Sequence, residues 1–108
     1  MTVTARAYRA GVAVFLVSEE NGPAWDDGRP RREQAGWDEH GAFMDRLLDE
    51  GFVVLGGPVG DGERALLAVE AADTEEVTAR LAADPWLRDG VLRIDRIEPW
   101  TIWLDGRR

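Results

Sequence analysis

Residues 37–58, WDEHGAFMDRLLDEGFVVLGGP, place a helix directly before a strand. At about 100° per residue, the apolar side chains of residues 37–50 share one side, which is typical of an amphipathic helix. Gly51 is a common residue just past a helix C-terminus. The apolar run at residues 52–55 predicts a strand that ends at Gly56-Gly57-Pro58. We expect the apolar side of this helix to pack on a sheet that contains the following strand.

The remaining elements complete a familiar order. The sequence predicts strands at residues 11–17, 64–70 and 91–98, a helix at 74–83, and a short fifth strand at 100–104. Asp61-Gly62 is a hairpin turn signal, Asp73 and Glu76 form a capping box, and Asp84-Pro85 ends the second helix. The order βαββαβ predicts an α+β fold, a ferredoxin-like sandwich with a four-stranded antiparallel sheet and two helices on one face.

The whole chain, residues 1–108, fits a single domain. A loop at about residues 19–36 is rich in Gly, Pro and charge, and a tail follows at about residues 99–108. Loops of this length are uncommon in small domains unless they have a function.

The second face of the predicted sheet needs a cover. The runs GVAVFLV and FVVL are apolar on both sides, and two helices cover only one face. At roughly 25 cal/mol per Å², an exposed apolar sheet face would forfeit many kcal/mol. We expect a homodimer that packs sheet face against sheet face. The alternative is that the tail WTIWLDGRR folds under the sheet.

Charge and composition restrict the partners. The net charge of -8 argues against nucleic acid and anionic membranes, and no apolar run approaches the roughly 20 residues of a membrane span. The N-terminus lacks the apolar core of a signal peptide, so a cytoplasmic protein is expected.

The residue types that are missing restrict the chemistry further. The chain has no cysteine, no lysine and one histidine. Thiol nucleophiles, Schiff bases and multi-histidine zinc sites are therefore excluded, and no ligand spacing supports another metal. We expect no cofactor. An enzyme would depend on His40, carboxylates, hydroxyls, Tyr8 and arginines.

His40 and Asp84 are the candidate catalytic pair. His40 lies within the apolar stripe of the first helix. Asp84 continues the apolar side of the second helix and lies at its C-terminus, where the helix dipole opposes a negative charge. In the predicted topology both residues reach one rim of the sheet. A carboxylate beside an imidazole suits general acid–base catalysis. Separately, each has a structural interpretation: His40 as a core residue bonded to a carbonyl, and Asp84 as a turn initiator.

Other residues near this rim are candidates for binding. Trp86 and Trp25 could form walls of an aromatic pocket, although tryptophans more often serve packing. Gly57 and Pro58 leave the second strand at the same rim. The arginines of the loop at positions 29, 31 and 32 could steer an acidic substrate, or could simply be a solvated charged run.

Several motifs together resemble one family. They are His-x-x-Phe from His40, Gly-Gly-Pro at 56–58, Ala-Asp-Pro-Trp at 83–86 and Ile-Glu-Pro-Trp at 97–100. Over about residues 10–104 the chain resembles the YCII-related (YciI-like) proteins of the dimeric α/β-barrel superfamily. The resemblance implies a ferredoxin-like fold, a face-to-face dimer and an active site with a His–Asp pair, here His40 and Asp84. The long loop departs from many members.

These observations favour a cofactor-free acid/base enzyme of isomerase or lyase type. Its substrate would be a small, acidic or ring-derived metabolite. The alternative is a non-catalytic binding or accessory module that uses the same cleft. A ligand sensor is a third option, which would require an output domain. A carboxylate partner for His40 beside an open cavity favours the enzyme, and a sealed His40 bonded to a carbonyl favours the module.

Overall fold

The computed structural model describes residues 13–107 as a four-stranded antiparallel sheet packed against helices. The elements are β1 (Ala13–Asn21), α1 (Trp37–Asp49), β2 (Val53–Val59), β3 (Arg64–Ala71), α2 (Thr74–Leu81), α3 (Pro85–Arg88) and β4 (Leu92–Pro99). The strand order β2-β3-β1-β4 confirms the predicted ferredoxin-like fold, with α3 as an additional short helix. Tyr8, residues 11–12 of the first predicted strand and Arg108 of the tail lie outside the described residues.

Strand β1 is longer than the sequence predicted. It continues through the polar residues 18–21, because it is a central strand with β3 on one side and β4 on the other. Backbone hydrogen bonds on both sides keep these residues extended. The loop therefore begins at Gly22, and the predicted start at about residue 19 was wrong. Gly22 is required there because a Cβ would lie 2.2 Å from the carbonyl oxygen of Gly90.

Strand β2 also runs past its predicted end. Gly56, Gly57 and Pro58 belong to the strand, which ends at Val59. Proline is tolerated because β2 is an edge strand. At Gly56, a Cβ would lie 2.5 Å from Cδ2 of Leu67, so the glycine permits close packing against β3.

The core lies between the sheet and the helices. From β1 and β3 come Phe15, Val17, Leu67 and Val69, and from the helices come Phe43, Leu47, Val77 and Leu81. The strand residues alternate along each strand, as expected when one face is packed. On the same face of β1, the next inward positions after Val17 are Glu19 and Asn21, at the rim.

The other face of the sheet is only partly covered. The predicted fifth strand is absent from the described residues, where the tail after Pro99 is irregular. The tail nevertheless lies beside the sheet, and with Val14 and Ala68 it encloses a groove of about 210 Å³. Trp103 and Leu104 remain 76% and 78% exposed. The tail thus agrees in part with the alternative prediction that it folds under the sheet.

The helix ends follow the predicted chemistry with one shift. Asp73 accepts a hydrogen bond from the backbone N–H of Glu76 at 2.8 Å, and so begins α2. The Glu76 carboxylate accepts from the backbone N–H of Ala72, not that of Asp73. Within residues 13–107, no helix has the length and apolar character needed to cross a membrane.

Candidate active site

Helix α1 carries His40 into the interior of the molecule. The imidazole lies on the same buried side of the helix as Phe43 and Leu47, and its side chain is 11% exposed. It is located in the first turn, where the N-terminal end of the helix dipole disfavours a positive charge. The free lone pair of a neutral imidazole is the group that can act as a base.

Asp84 occupies a different position from the one that the sequence predicted. Helix α2 ends at Leu81, and Asp84 is the N-cap of α3. Its carboxylate Oδ1 accepts a hydrogen bond from the backbone N–H of Trp86 at 2.9 Å. The dipole of the next helix therefore favours its charge, and the predicted opposition by the dipole of α2 was wrong. Pro85 at the start of α3 explains the change of direction.

His40 and Asp84 are in direct contact. Nδ1 of His40 lies 2.8 Å from Oδ1 and 3.0 Å from Oδ2 of Asp84, whose side chain is fully buried. Because a carboxylate can only accept, Nδ1 carries the proton. The lone pair of the neutral ring is then on Nε2, which has no hydrogen-bond partner in the part of the chain that the structure describes. This arrangement can orient an imidazole for general acid–base catalysis.

Trp86 supports the imidazole from behind. The two rings are parallel within 7°, with centroids 4.1 Å apart. The Trp86 side chain is fully buried, and its indole N–H donates to the carbonyl oxygen of Ala35 at 2.8 Å. Trp37 and Trp25 pack around it, with centroids 5.6 Å and 6.2 Å away. Trp86 therefore contributes to the site by stacking on His40, and it does not form an exposed wall of a pocket.

A folded loop builds the outer wall of the site. Gln34 is buried and bridges the loop: its amide N–H groups donate to the carbonyl oxygens of Asp26 and Arg29, and its oxygen accepts from the N–H of Asp26. Arg31 donates to the carbonyl oxygen of Gly62 at 2.9 Å and ties the loop to the β2–β3 hairpin. Sequence reasoning missed Gln34, because nothing in a polar, charged run marks one buried amide.

Between the loop and the hairpin lies a cavity of about 590 Å³. Its lining includes Asn21, Trp25, Arg31, Trp37 and Pro58, together with Asp27, Pro30, Arg32, Asp61, Gly62 and Glu63. Two of the predicted binding residues, Trp25 and Pro58, thus line the cavity. The other two do not: Trp86 is buried, and Gly57 faces the opposite side of the sheet from Pro58 by strand alternation.

The most informative residue that sequence reasoning missed is Glu19. It is 3% exposed, and its buried Oε2 has no hydrogen-bond partner among residues 13–107. Burial raises the pKa of Glu19 to about 7; the negative charge of Asp84 also raises this pKa, and the positive charge of Arg31 lowers it. The alternation Phe15, Val17, Glu19 could have revealed the inward position, but the polar run read as a turn.

Arg31 is the cation of this region. Burial lowers the pKa of its guanidinium, and the negative charge of Glu19 opposes that effect. The guanidinium carbon lies 5.2 Å from the centroid of the Trp25 ring. Arg31 is therefore held over an aromatic surface at the cavity. The interpretation of the loop arginines as a solvated charged run does not apply to Arg31.

Three or more His, Cys, Asp or Glu side chains do not converge on a possible metal position anywhere in residues 13–107.

Comparisons with known proteins place this geometry in context. The family model of the YCII-related domain matches residues 10–101. A similar solved structure is 5-chloro-2-hydroxyhydroquinone dehydrochlorinase from Burkholderia phenoliruptrix, in complex with 2,5-dihydroxybenzoquinone. It is 23% identical, with a TM-score of 0.57 over 82% of this chain and 93% of that chain, a likeness that concerns the fold. A search of curated proteins gave no match.

Proposed function

This protein belongs to the YCII-related domain family, and we propose that it is a homodimeric enzyme that moves protons on a small, ring-derived or acidic metabolite. The observation that carries the proposal is the 2.8 Å contact between Nδ1 of His40 and the fully buried carboxylate of Asp84. Proton transfer of this kind needs no cofactor. The cytoplasmic location stays a prediction of the sequence.

The proposed chemistry follows from the tautomer. Nε2 of His40 takes a proton from the substrate, and the electron pair left behind forms a double bond. In an elimination the new double bond forms as the leaving group departs with its bonding electrons. In an isomerisation the new double bond displaces an existing one, whose electron pair takes the proton back from His40 at another atom. Asp84 stabilises the imidazolium that forms and holds the ring in its plane. The stacked Trp86 ring prevents the imidazole from tilting away.

The similar structure guides the choice of substrates. That protein is named as a dehydrochlorinase of a chlorinated hydroxyhydroquinone and is bound to 2,5-dihydroxybenzoquinone. A first panel is therefore hydroxylated benzenes, quinones and their chlorinated forms, followed by absorbance and by chloride release.

The catalytic test compares three variants on any substrate that the wild type turns over. We expect His40→Ala and Asp84→Asn to lose about 10²–10⁴-fold in kcat, the usual contribution of a positioned acid–base group. In Asp84→Asn, the amide N–H₂ would face Nδ1, and the proton would move to Nε2. Glu39→Ala, an exposed change one residue before His40, is the matched control. A His40→Ala protein with wild-type kcat would refute the assignment.

One observation favours a second candidate, a non-catalytic binding module. The walls of the 590 Å³ cavity include neither His40 nor Asp84. If this alternative holds, the protein binds members of the panel without turning over any of them, and the His40→Ala variant binds them as tightly as the wild type.

The homodimer is proposed from the open sheet face. Val14 and Ala68 are buried there, but Leu55 of the same groove is 52% exposed. The tail residues Trp103 and Leu104 are more exposed still. Exposed apolar side chains around one groove mark an interaction surface. A second copy of the sheet, related by a two-fold axis, is the proposed occupant.

Two leucines of equal exposure test the dimer. Leu55 lies at the groove and Leu48 on α1 in the helix layer, and each is 52% exposed. We expect Leu55→Glu to shift the mass measured by analytical ultracentrifugation from dimer to monomer, and Leu48→Glu to leave it unchanged. A wild-type protein that sediments as a monomer at micromolar concentration would refute this interface.

A further inference from the structure

The inward row of β1 ends in two buried oxygen atoms that lack partners. Phe15 and Val17 of this row pack in the core, and Glu19 and Asn21 continue it toward the rim. Oε2 of Glu19 and Oδ1 of Asn21 are both buried without a hydrogen-bond donor among the described residues. Because such atoms are nearly always satisfied in folded proteins, donors beyond the described residues are expected here, and a bound ligand is one source of them.

The surroundings of these two atoms point to the cavity. Asn21 lines it directly, and so does Arg31, whose charge acts on Glu19. Glu19 lies two residues before Asn21 on the same face of β1. Its strand partner Ala65 also pairs with Pro58, which lines the cavity, so Glu19 belongs to a row of residues that leads to it.

The other walls of the cavity suit a flat molecule. Trp25 and Trp37 are both half-buried there, with the guanidinium carbons of Arg31 and Arg32 5.2 Å and 5.8 Å from their ring centroids. Aromatic and guanidinium planes bind flat rings by stacking. The carboxylates of Asp27, Asp61 and Glu63 at the same cavity disfavour a ligand with much negative charge.

We propose that Glu19 and Asn21 form a hydrogen-bonding floor that recognises the hydroxyl groups of an uncharged, flat, polyhydroxylated ring. The inference rests on the proposed function and names the substrate class of that same site. Oδ1 of Asn21 accepts from one hydroxyl group. Glu19 accepts from or donates to another, according to its protonation state.

The titration of Glu19 agrees with this role. Its pKa of about 7 means that both forms of the carboxyl are populated near neutral pH. Burial raises this pKa most, the negative charge of Asp84 raises it further, and the positive charge of Arg31 lowers it. The strand neighbours of Glu19 are the apolar Ala65 and Ile94. A carboxyl of this kind can meet a hydroxyl group as donor or as acceptor.

The test uses a matched pair of probes, hydroquinone and 1,4-dimethoxybenzene, which share the ring but differ in hydrogen-bond donors. By isothermal titration calorimetry, we expect the wild type to bind hydroquinone at least about tenfold more tightly, because the ether leaves both oxygens unsatisfied. Glu19→Met and Asn21→Leu remove the orphaned oxygens at similar volume, and each should reduce this preference to about twofold or less.

The controls separate this inference from the catalytic one. Glu20→Met, on the opposite face of β1, should keep the full preference. His40→Ala should also keep it while losing turnover. If the wild type binds neither probe, or binds both equally, or if Glu19→Met and Asn21→Leu retain the preference, the floor is wrong. A wild type that shows the preference, loses it in Glu19→Met and Asn21→Leu, and turns over no member of the panel would refute the proposed function alone.

Discussion

Two aspartates flank helix α2 and have the same local role with different consequences. Asp73 is the N-cap of α2 and accepts the backbone N–H three residues later at 2.8 Å. Asp84 is the N-cap of α3 and accepts the backbone N–H two residues later at 2.9 Å. Asp73 is exposed to solvent, whereas Asp84 is fully buried and also bonds to His40.

The difference teaches that the capping motif does not distinguish a structural aspartate from a candidate catalytic one. Water can replace the capping interaction at Asp73, so its contribution is local. Asp84 is fully buried, and its carboxylate satisfies two donors in a region of low dielectric. Burial, rather than the motif, makes Asp84 able to orient an imidazole.

The largest expected effect is that of Asp84→Ala. Removing the carboxylate leaves the Trp86 N–H and the His40 Nδ1–H buried without acceptors, which should lower the free energy of unfolding by about 3–5 kcal/mol. Urea unfolding followed by circular dichroism measures this. Asp84→Asn keeps one acceptor oxygen and should lose clearly less. A loss below about 1 kcal/mol for Asp84→Ala would make the two aspartates equivalent.

The next effect concerns Glu19, the buried carboxyl beside Asp84. Its pKa is about 7 in the folded protein and 4.5 for a solvent-exposed glutamate in an unfolded chain, so the folded state holds the proton more tightly. Its contribution to stability is complete below pH 4.5 and is lost as the pH rises through 7.

Glu19→Gln should remove this loss. We expect the variant to equal the wild type in stability near pH 4 and to exceed it by about 3 kcal/mol at pH 8, measured as the free energy of unfolding at each pH. Glu20→Gln, on the other face of the strand, is the control. Equal pH profiles for Glu19→Gln and the wild type would contradict the raised pKa.

The smallest expected effect is that of Asp73→Ala. Loss of an exposed N-cap should cost about 1 kcal/mol, with no change in kcat. Thermal unfolding and the substrate assay measure the two quantities. If Asp73→Ala destabilised the protein as much as Asp84→Ala, burial would not be the source of their difference.

Much of the fold was predictable because it depends on local signals. The apolar stripe from Trp37, the turn at Asp61-Gly62 and the cap at Asp73 each act over a few residues, and the element order then leaves few topologies. The errors at the ends of β1 and β2 have one cause: residues 18–21 and 56–59 carry turn-forming sequences, but pairing with neighbouring strands keeps them extended. Pairing partners are distant in sequence, so the local pattern could not reveal them.

The candidate site divides in the same way. Topology brought the start of α1 and the end of α2 to one rim, where Nδ1 of His40 lies 2.8 Å from Oδ1 of Asp84. The capping role of Asp84, the Trp86 ring behind the imidazole and the buried Gln34 depend on how the loop and α3 pack. None of these leaves a periodic signal.

By itself, the sequence determined the order of helices and strands and the kinds of side chain available for chemistry, because propensity and hydrophobic period are local properties of the chain. Only the tertiary structure decided which polar groups lose contact with water. Desolvation is set by side chains brought together from distant parts of the chain, and it distinguishes Asp84 from Asp73 and Glu19 from Glu20.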